Sequence, residues 1–191
     1  MKIRESGMPD EARWTSFFDC EAVIEKLLGA AAAQGDVIEF GCGYGSFTVP
    51  AARRTSGVVT ALDIEPGMIA VVREKAACLG LRNIRAELRD FIADGAGVDA
   101  GSQAYAMIFN LLHLAQPGVL LREAHRTLQD GGVLSVMHWR SDIPTPRGPP
   151  LEMRPTPGQC RQWMADAGFG AIASVDLQDC CPFHFGLIGR R

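Results

Sequence analysis

Val37-Ile-Glu39-Phe-Gly41-Cys-Gly43-Tyr-Gly45-Ser-Phe47 decides the fold class of this chain. Asp36 to Phe40 is a short apolar run with β-branched residues that breaks on a glycine cluster, the pattern of a buried strand feeding a tight loop. Three glycines on alternate positions let the backbone pass close to a ligand, with amides at the start of the following helix aimed at it. A nucleotide-like cofactor is implied. The loop alone does not say which, because dinucleotide, phosphate and sulfonium binders share it. Two neighbours bear on the choice. The dinucleotide form G-x-G-x-x-G/A carries Gly or Ala where this chain has Ser46, and it would set a pyrophosphate beside the repelling carboxylate of Glu39. A cofactor with a cationic end suits Glu39 better. Asp63, about twenty residues beyond the loop at the end of the next strand, offers an acceptor pair for two ribose hydroxyls.

Strand and helix alternate outward from this segment. Val23, Ile24, Leu27, Leu28 and Ala31 recur at helical spacing, so a helix is predicted over Cys20–Ala33 with Gly35 as its stop. Gly57 to Leu62 is a second strand. Pro66 opens and Gly80 closes a helix striped by Met68, Ile69, Val71, Val72, Ala76 and Leu79. A weaker strand at Ile84–Leu88, a stronger one at Ala104–Phe109, a helix from Pro117 to Leu128 and a strand at Val133–Met137 follow, with Asp130-Gly131-Gly132 as the turn before the last. Such repeated units require a parallel sheet covered by helices on both faces, a doubly wound α/β fold. Between Trp139 and Gly158, prolines 144, 146, 149, 150, 155 and 157 exclude a regular ladder and predict a long loop. Thr156-Pro157-Gly158-Gln159 has the form of a capping box, which starts a helix to about Ala167. Strands at Ala171–Leu177 and Pro182–Ile188 then give an antiparallel end to the sheet.

Composition narrows the class. The 191 residues suit one domain, expected over 1–191 with an N-terminal lid or helix at 1–34 and the core at 35–191. Apolar residues at 47% and charged residues at 21% are ordinary for a globular chain. A net charge of -3 gives no electrostatic footprint for nucleic acid. Met1–Gly7 mixes charges without an apolar core, and no run approaches the roughly 18 residues of a membrane span, so a cytoplasmic location without membrane attachment is expected. The six cysteines form no C-x-x-C pair and read as reduced thiols.

Glu39-Phe-Gly41-Cys-Gly43-Tyr-Gly45 resembles the first motif of the class I S-adenosylmethionine-dependent methyltransferases, and Val59-Thr-Ala-Leu-Asp63-Ile-Glu-Pro-Gly-Met68 resembles their second. Arg89-Asp90-Phe91 is similar to the third site, Phe109-Asn110-Leu-Leu-His113-Leu stands where the fourth motif belongs, and His125 to Leu134 is similar to the helix and turn before the fifth strand. The resemblance implies a Rossmann-like, seven-stranded, mostly parallel sheet with an antiparallel C-terminal strand. It implies S-adenosylmethionine as cofactor, with Glu39, Gly41, Gly43 and Gly45 at its methionyl part and Asp63 at its ribose. Ile64 and Met68 would pack on adenine, Asp90 would accept from the adenine amino group, Phe91 would lie beside it, and Asn110 would join the cofactor set. Small-molecule methyltransferases, such as those of quinone biosynthesis, are the nearest type. The Asn-Leu-Leu-His start at position 110 differs from the Asn-Pro-Pro-Tyr type signature of amino-methylating nucleic-acid enzymes.

Methyl transfer from a sulfonium is an in-line displacement, so an enzyme mainly aligns the partners and excludes water, and needs a base only where the nucleophile carries a proton. His113 and His138, after the fourth strand and at the end of the fifth, are the candidates for a base or an orienting hydrogen bond, or else are structural. His125 and His184 read as surface or core residues. Trp14, Phe17 and Phe18 form either a lid over the cofactor, with Trp14 and Phe18 toward substrate, or a staple that docks the first helix. Arg140, Arg147 and Arg154 either bind an anionic substrate, Arg140 foremost, or are solvated. Cys160, Cys180, Cys181 and His184 read as packing rather than a metal site, since Cys181 and His184 would point to opposite faces of a strand. The expected activity is methylation of a small molecule by a monomer or homodimer. A catalytically silent adenosyl-ligand binding module is the rival, and a nicotinamide-dependent oxidoreductase the weaker one.

Overall fold

The computed structural model describes residues 8–29 and 34–191; the Met1–Gly7 segment and the expected helical residues 30–33 lie outside it. Two short helices lead in, α1 (Glu11–Thr15) and α2 (Cys20–Leu28), capped by Asp10 and Asp19, whose side chains accept from Arg13 and Ala22 amides. Then come β1 (Val37–Phe40), α3 (Thr48–Arg54), β2 (Val59–Asp63), α4 (Pro66–Cys78), β3 (Ile84–Leu88), β4 (Gln103–Phe109), α5 (Pro117–Thr127) and β5 (Leu128–Trp139). A 3-10 turn at Leu151–Met153 precedes α6 (Pro157–Asp166), β6 (Gly170–Val175) and β7 (His184–Arg190). The capping box at Thr156 forms, with both reciprocal hydrogen bonds in place.

The seven strands lie in the order β3-β2-β1-β4-β5-β7-β6. The first five are parallel, and β7 runs antiparallel to both β5 and β6. This is the doubly wound α/β architecture the alternating pattern implies, in the Rossmann-like, seven-stranded form the family resemblance implies. One apolar layer gathers α2 and α3 against the sheet around Val23, Leu27, Val37, Met107 and Trp139. The other gathers α5 and α6 around Ile38, Ile108, Leu120, Leu134 and Met164. Strands buried on both faces explain why β1, β2 and β4 read as continuous apolar runs rather than alternating ones.

Three local expectations are corrected. Asp130-Gly131-Gly132 is not a turn before the strand but lies within β5, which starts at Leu128 and is irregular opposite Gln103 and Tyr105. The last strand runs two residues later than expected, because Cys181 to Phe183 form a turn closed by the His184 amide on the Cys181 carbonyl. That turn also removes the strand alternation that would separate Cys181 from His184: Cys181 Sγ lies 3.0 Å from His184 Nδ1.

Candidate functional site

Changing strand order at β1 and β4 leaves a crevice beyond their carboxyl ends, the place where open α/β sheets bind ligands. A cavity of about 720 Å³ occupies it. Its lining comes from the ends of five strands and two coverings: Gly41 to Gly43 after β1, Asp63 and Ile64 at β2, Arg89 to Ile92 after β3, Phe109 to Leu111 at β4, and Trp139 at β5. Met8, Pro9 and Trp14 close it from the N-terminal side, and Arg147 to Pro149 from the proline-rich loop.

The glycine loop is built for close approach. Gly41 adopts φ 74°, and a Cβ there would meet the Leu111 side chain at 2.8 Å. Gly43, at φ 50°, donates its amide to Oδ2 of Asp63 at 2.8 Å, and Glu65 donates to Oδ1 at 3.0 Å. Asp63 is thus fixed in rotamer at the mouth of β2, where a carboxylate has acceptor capacity for hydroxyl donors beyond its amide partners. Burial raises its carboxyl, while the Glu65 and Gly43 amides pull it down.

Glu39 stands behind the loop rather than in the cavity. Its side chain is buried and accepts a hydrogen bond from Thr48 in the first turn of α3. Burial pushes the carboxyl up to about 8, against the lowering effect of the Thr48 bond and with a further rise from the Asp63 charge. The sequence pattern does not single out Thr48, although a hydroxyl three residues beyond Gly45, at a helix start, is a signal for it.

Asn110 is the most informative residue. It is one of two non-glycine residues with positive φ among the described residues, at 59°, and its Nδ2 and Oδ1 are both buried without a hydrogen-bond partner while it lines the cavity. An unsatisfied buried polar group costs about 1–3 kcal/mol, so an amide with both ends orphaned is shaped for a polar ligand. Ser46, also lining, has a buried hydroxyl in the same condition. Asp63, the Gly41–Gly43 backbone, Asn110 and Ser46 therefore suit a ligand with hydroxyl, amine and carboxylate groups, which S-adenosylmethionine carries.

The structure brings Gly41, Gly43, Asp63, Ile64, Asp90, Phe91, Asn110, His113 and Trp14 to one cavity and leaves other expected residues elsewhere. Gly45 and Phe18 line a second, open concavity between α1 and α4. Met68 is half-buried on α4 and is not in the lining. Arg140 points away, bidentate to Asp142 at 2.9 and 2.6 Å with Gln178 at 3.2 Å. Arg154 is buried and knits the proline-rich loop through the carbonyls of Pro149, Arg140 and Arg147. Arg147 alone of the three lines the cavity. The aromatic lead-in divides: Phe17 and Phe18 are buried core residues, whereas half-buried Trp14 faces the cavity and packs edge-on to Trp139 at 6.5 Å.

His113 Nδ1 lies 3.2 Å from His138 Nε2, and His138 Nδ1 lies 3.2 Å from the Trp139 carbonyl. His138 is fully buried, and burial brings its ring down to about 3; His113 is lowered by the same cause. Among the described residues no group of three His, Cys, Asp or Glu side chains is arranged to hold a metal ion.

The methyltransferase-domain family matches residues 37–132, half of the chain. The chain belongs to that family. Over 111 residues, 58% of its length, it is 33% identical to the demethylmenaquinone methyltransferase of Tropheryma whipplei, and the match covers 44% of that protein. It is 37% identical over 78 residues, 38% of its length, to aklanonic acid methyltransferase DauC of a Streptomyces species, covering 36% of that protein. The matched stretches thus span less than half the length of these relatives. A SAM dependent methyltransferase from Aquifex aeolicus shares the fold with a TM-score of 0.78 at 22% identity, over 95% of this chain and 93% of that one. No helix among the described residues is long and apolar enough to cross a membrane.

Proposed function

We propose that this methyltransferase-family chain transfers the methyl group of S-adenosylmethionine to a small-molecule acceptor. The observation that carries the reading is the meeting, in one cavity, of an Asp63 carboxylate fixed by two amides with the doubly orphaned Asn110 amide. Asp63 would take the ribose hydroxyls, Asp90 and Phe91 the adenine, and the Gly41–Gly43 backbone with Asn110 the methionyl end. Glu39, through Thr48, sets the position of the first turn of α3 rather than touching the ligand.

The bound cofactor supplies an electrophilic methyl on a sulfonium. The chain's own residues then have two tasks: orientation and exclusion of water. Trp14, Phe109, Leu114, Trp139 and Pro149 give the remaining cavity wall an apolar, aromatic character that favours a flat organic acceptor. Relatives named for demethylmenaquinone and aklanonic acid support a small-molecule acceptor.

Calorimetric titration with S-adenosylhomocysteine and with NAD tests the reading. Saturable binding of the first and none of the second is expected. Binding of NAD alone overturns it, and S-adenosylhomocysteine binding without transfer to any small organic acceptor would reduce the chain to a binding module.

A further inference from the structure

We propose that His138 is a positioning residue that holds His113 in the Nδ1–H tautomer, leaving Nε2 of His113 as a bare proton acceptor toward the cavity and fitting the site to phenol- or enol-type hydroxyl acceptors. This rests on the methyl-transfer reading and deepens it.

The argument is one of hydrogen-bond direction. A backbone carbonyl only accepts, so the contact between His138 Nδ1 and the Trp139 oxygen requires a proton on Nδ1. Burial keeps His138 far from its second proton at neutral pH, so its Nε2 carries only a lone pair. The contact at 3.2 Å to His113 Nδ1 then has one possible donor, the Nδ1–H of His113. A neutral imidazole with its proton on Nδ1 has none on Nε2. Among the described residues, Nε2 of His113 has no hydrogen-bond partner, and His113 lines the cavity beside Leu114 and Leu111. The relay ends on a main-chain atom inside β5, so its direction is set by the fold and not by solvent.

This arrangement selects among acceptors. A carboxylate or a neutral amine attacks without losing a proton first. An alkyl hydroxyl is too weak an acid for neutral imidazole, whereas a phenol, with a pKa near 10 like tyrosine, lies within reach. In the step, the hydroxyl proton passes to His113 Nε2 and the oxygen's electron pair forms the new oxygen–carbon bond. The methyl–sulfur bond breaks with its pair left on sulfur, and His113 returns its proton to water. The Nδ1–H bond to His138 strengthens while His113 is cationic, since the donor is then charged.

Imidazole nitrogen NMR on the full chain tests this without turnover. The wild-type protein should show His113 and His138 both protonated on Nδ1, the less common tautomer of free imidazole. His138→Gln puts an amide oxygen where Nε2 stood and should keep His113 in that state; His138→Leu should move it to Nε2–H. A wild-type His113 protonated on Nε2 overturns the proposal, as does a His138→Leu protein in which His113 keeps Nδ1–H. If the leucine variant does not fold, the wild-type and glutamine spectra still decide. Titration of the same wild-type sample with S-adenosylhomocysteine separates the two levels: binding with the wrong tautomer refutes the relay alone, and no binding refutes the methyl-transfer reading.

Discussion

Trp139 and His184 pair across the β5–β7 ladder with ring centroids 4.0 Å apart, so the wall of the cavity rests directly on a buried histidine. Phe18 covers the same imidazole at 4.8 Å, and Cys181 Sγ meets its Nδ1. Its Nε2 is buried without a partner. Burial therefore holds His184 neutral, well below the ordinary histidine range, with the nearby His138 and Arg154 acting in the same direction.

Acid should unfold the protein through such rings. An unfolded histidine takes its proton near 6.5 while folded His184 does not, so the unfolded state binds more protons and stability falls as pH drops below 6.5. Each such histidine contributes a slope of about 1.4 kcal/mol per pH unit. Urea unfolding of His184→Phe between pH 6 and pH 5 should lose about 1.4 kcal/mol less than wild type, the ring packing being kept. Equal slopes would show that His184 titrates freely.

Glu39 gives the opposite sign. Its folded carboxyl is pushed up to about 8 from an ordinary 4.5, so the folded state binds more protons between those values and stability falls as pH rises through that window. Glu39→Gln removes the charge and keeps the size. In the absence of ligand its Tm should exceed that of wild type by about 5 °C at pH 8, with the gap narrowing toward pH 5. A gap independent of pH would mean that Thr48 alone satisfies the ionised carboxylate.

Asp63 should be a binding residue before it is a structural one. Asp63→Ala removes the acceptor for two ribose hydroxyls and should weaken S-adenosylhomocysteine by about 1–3 kcal/mol, read by calorimetry. Asp63→Asn keeps one oxygen for a hydroxyl and should fall between. Unchanged affinity in the alanine variant would remove Asp63 from the site.

Elements whose apolar pattern matched a local period could be read in advance. The glycine loop, the acid at Asp63 and the capping box at Thr156 carry their chemistry within a few residues, and the parallel, helix-covered sheet follows from the alternation they punctuate, whereas its strand order does not. Other features depend on contacts distant in sequence. Helix α3 holds Pro50 among small buried residues and shows no stripe. Asp130-Gly131-Gly132 has turn composition, yet β5 continues through it because Leu128 pairs with Gln103. Among Arg140, Arg147 and Arg154, nothing local marks which one turns toward the cavity, since the proline-rich loop folds on Arg154 itself. The pair of His113 and His138 could be named singly, but their 3.2 Å contact exists only because β4 and β5 end side by side.

The N-terminal covering should control ligand release. Residues 8–15 are tied over the glycine loop by two links: Tyr44 Oη donates to the Pro9 carbonyl at 3.0 Å, and Lys75 on α4 bridges Glu11 and the Tyr44 carbonyl. Met8 lies 3.1 Å from where a Cβ on Gly43 would stand, so the cover and the loop touch. A partly exposed ion pair and one hydrogen bond are each worth about 1 kcal/mol or less. Tyr44→Phe and Lys75→Met should therefore each speed S-adenosylhomocysteine dissociation about fivefold in stopped-flow, with Tm nearly unchanged because no core residue is altered. Salt separates the two links: raising ionic strength should speed release from wild type and Tyr44→Phe but have little effect on Lys75→Met, whose ionic link is already gone. Dissociation rates unchanged in both variants would mean that the cover opens elsewhere.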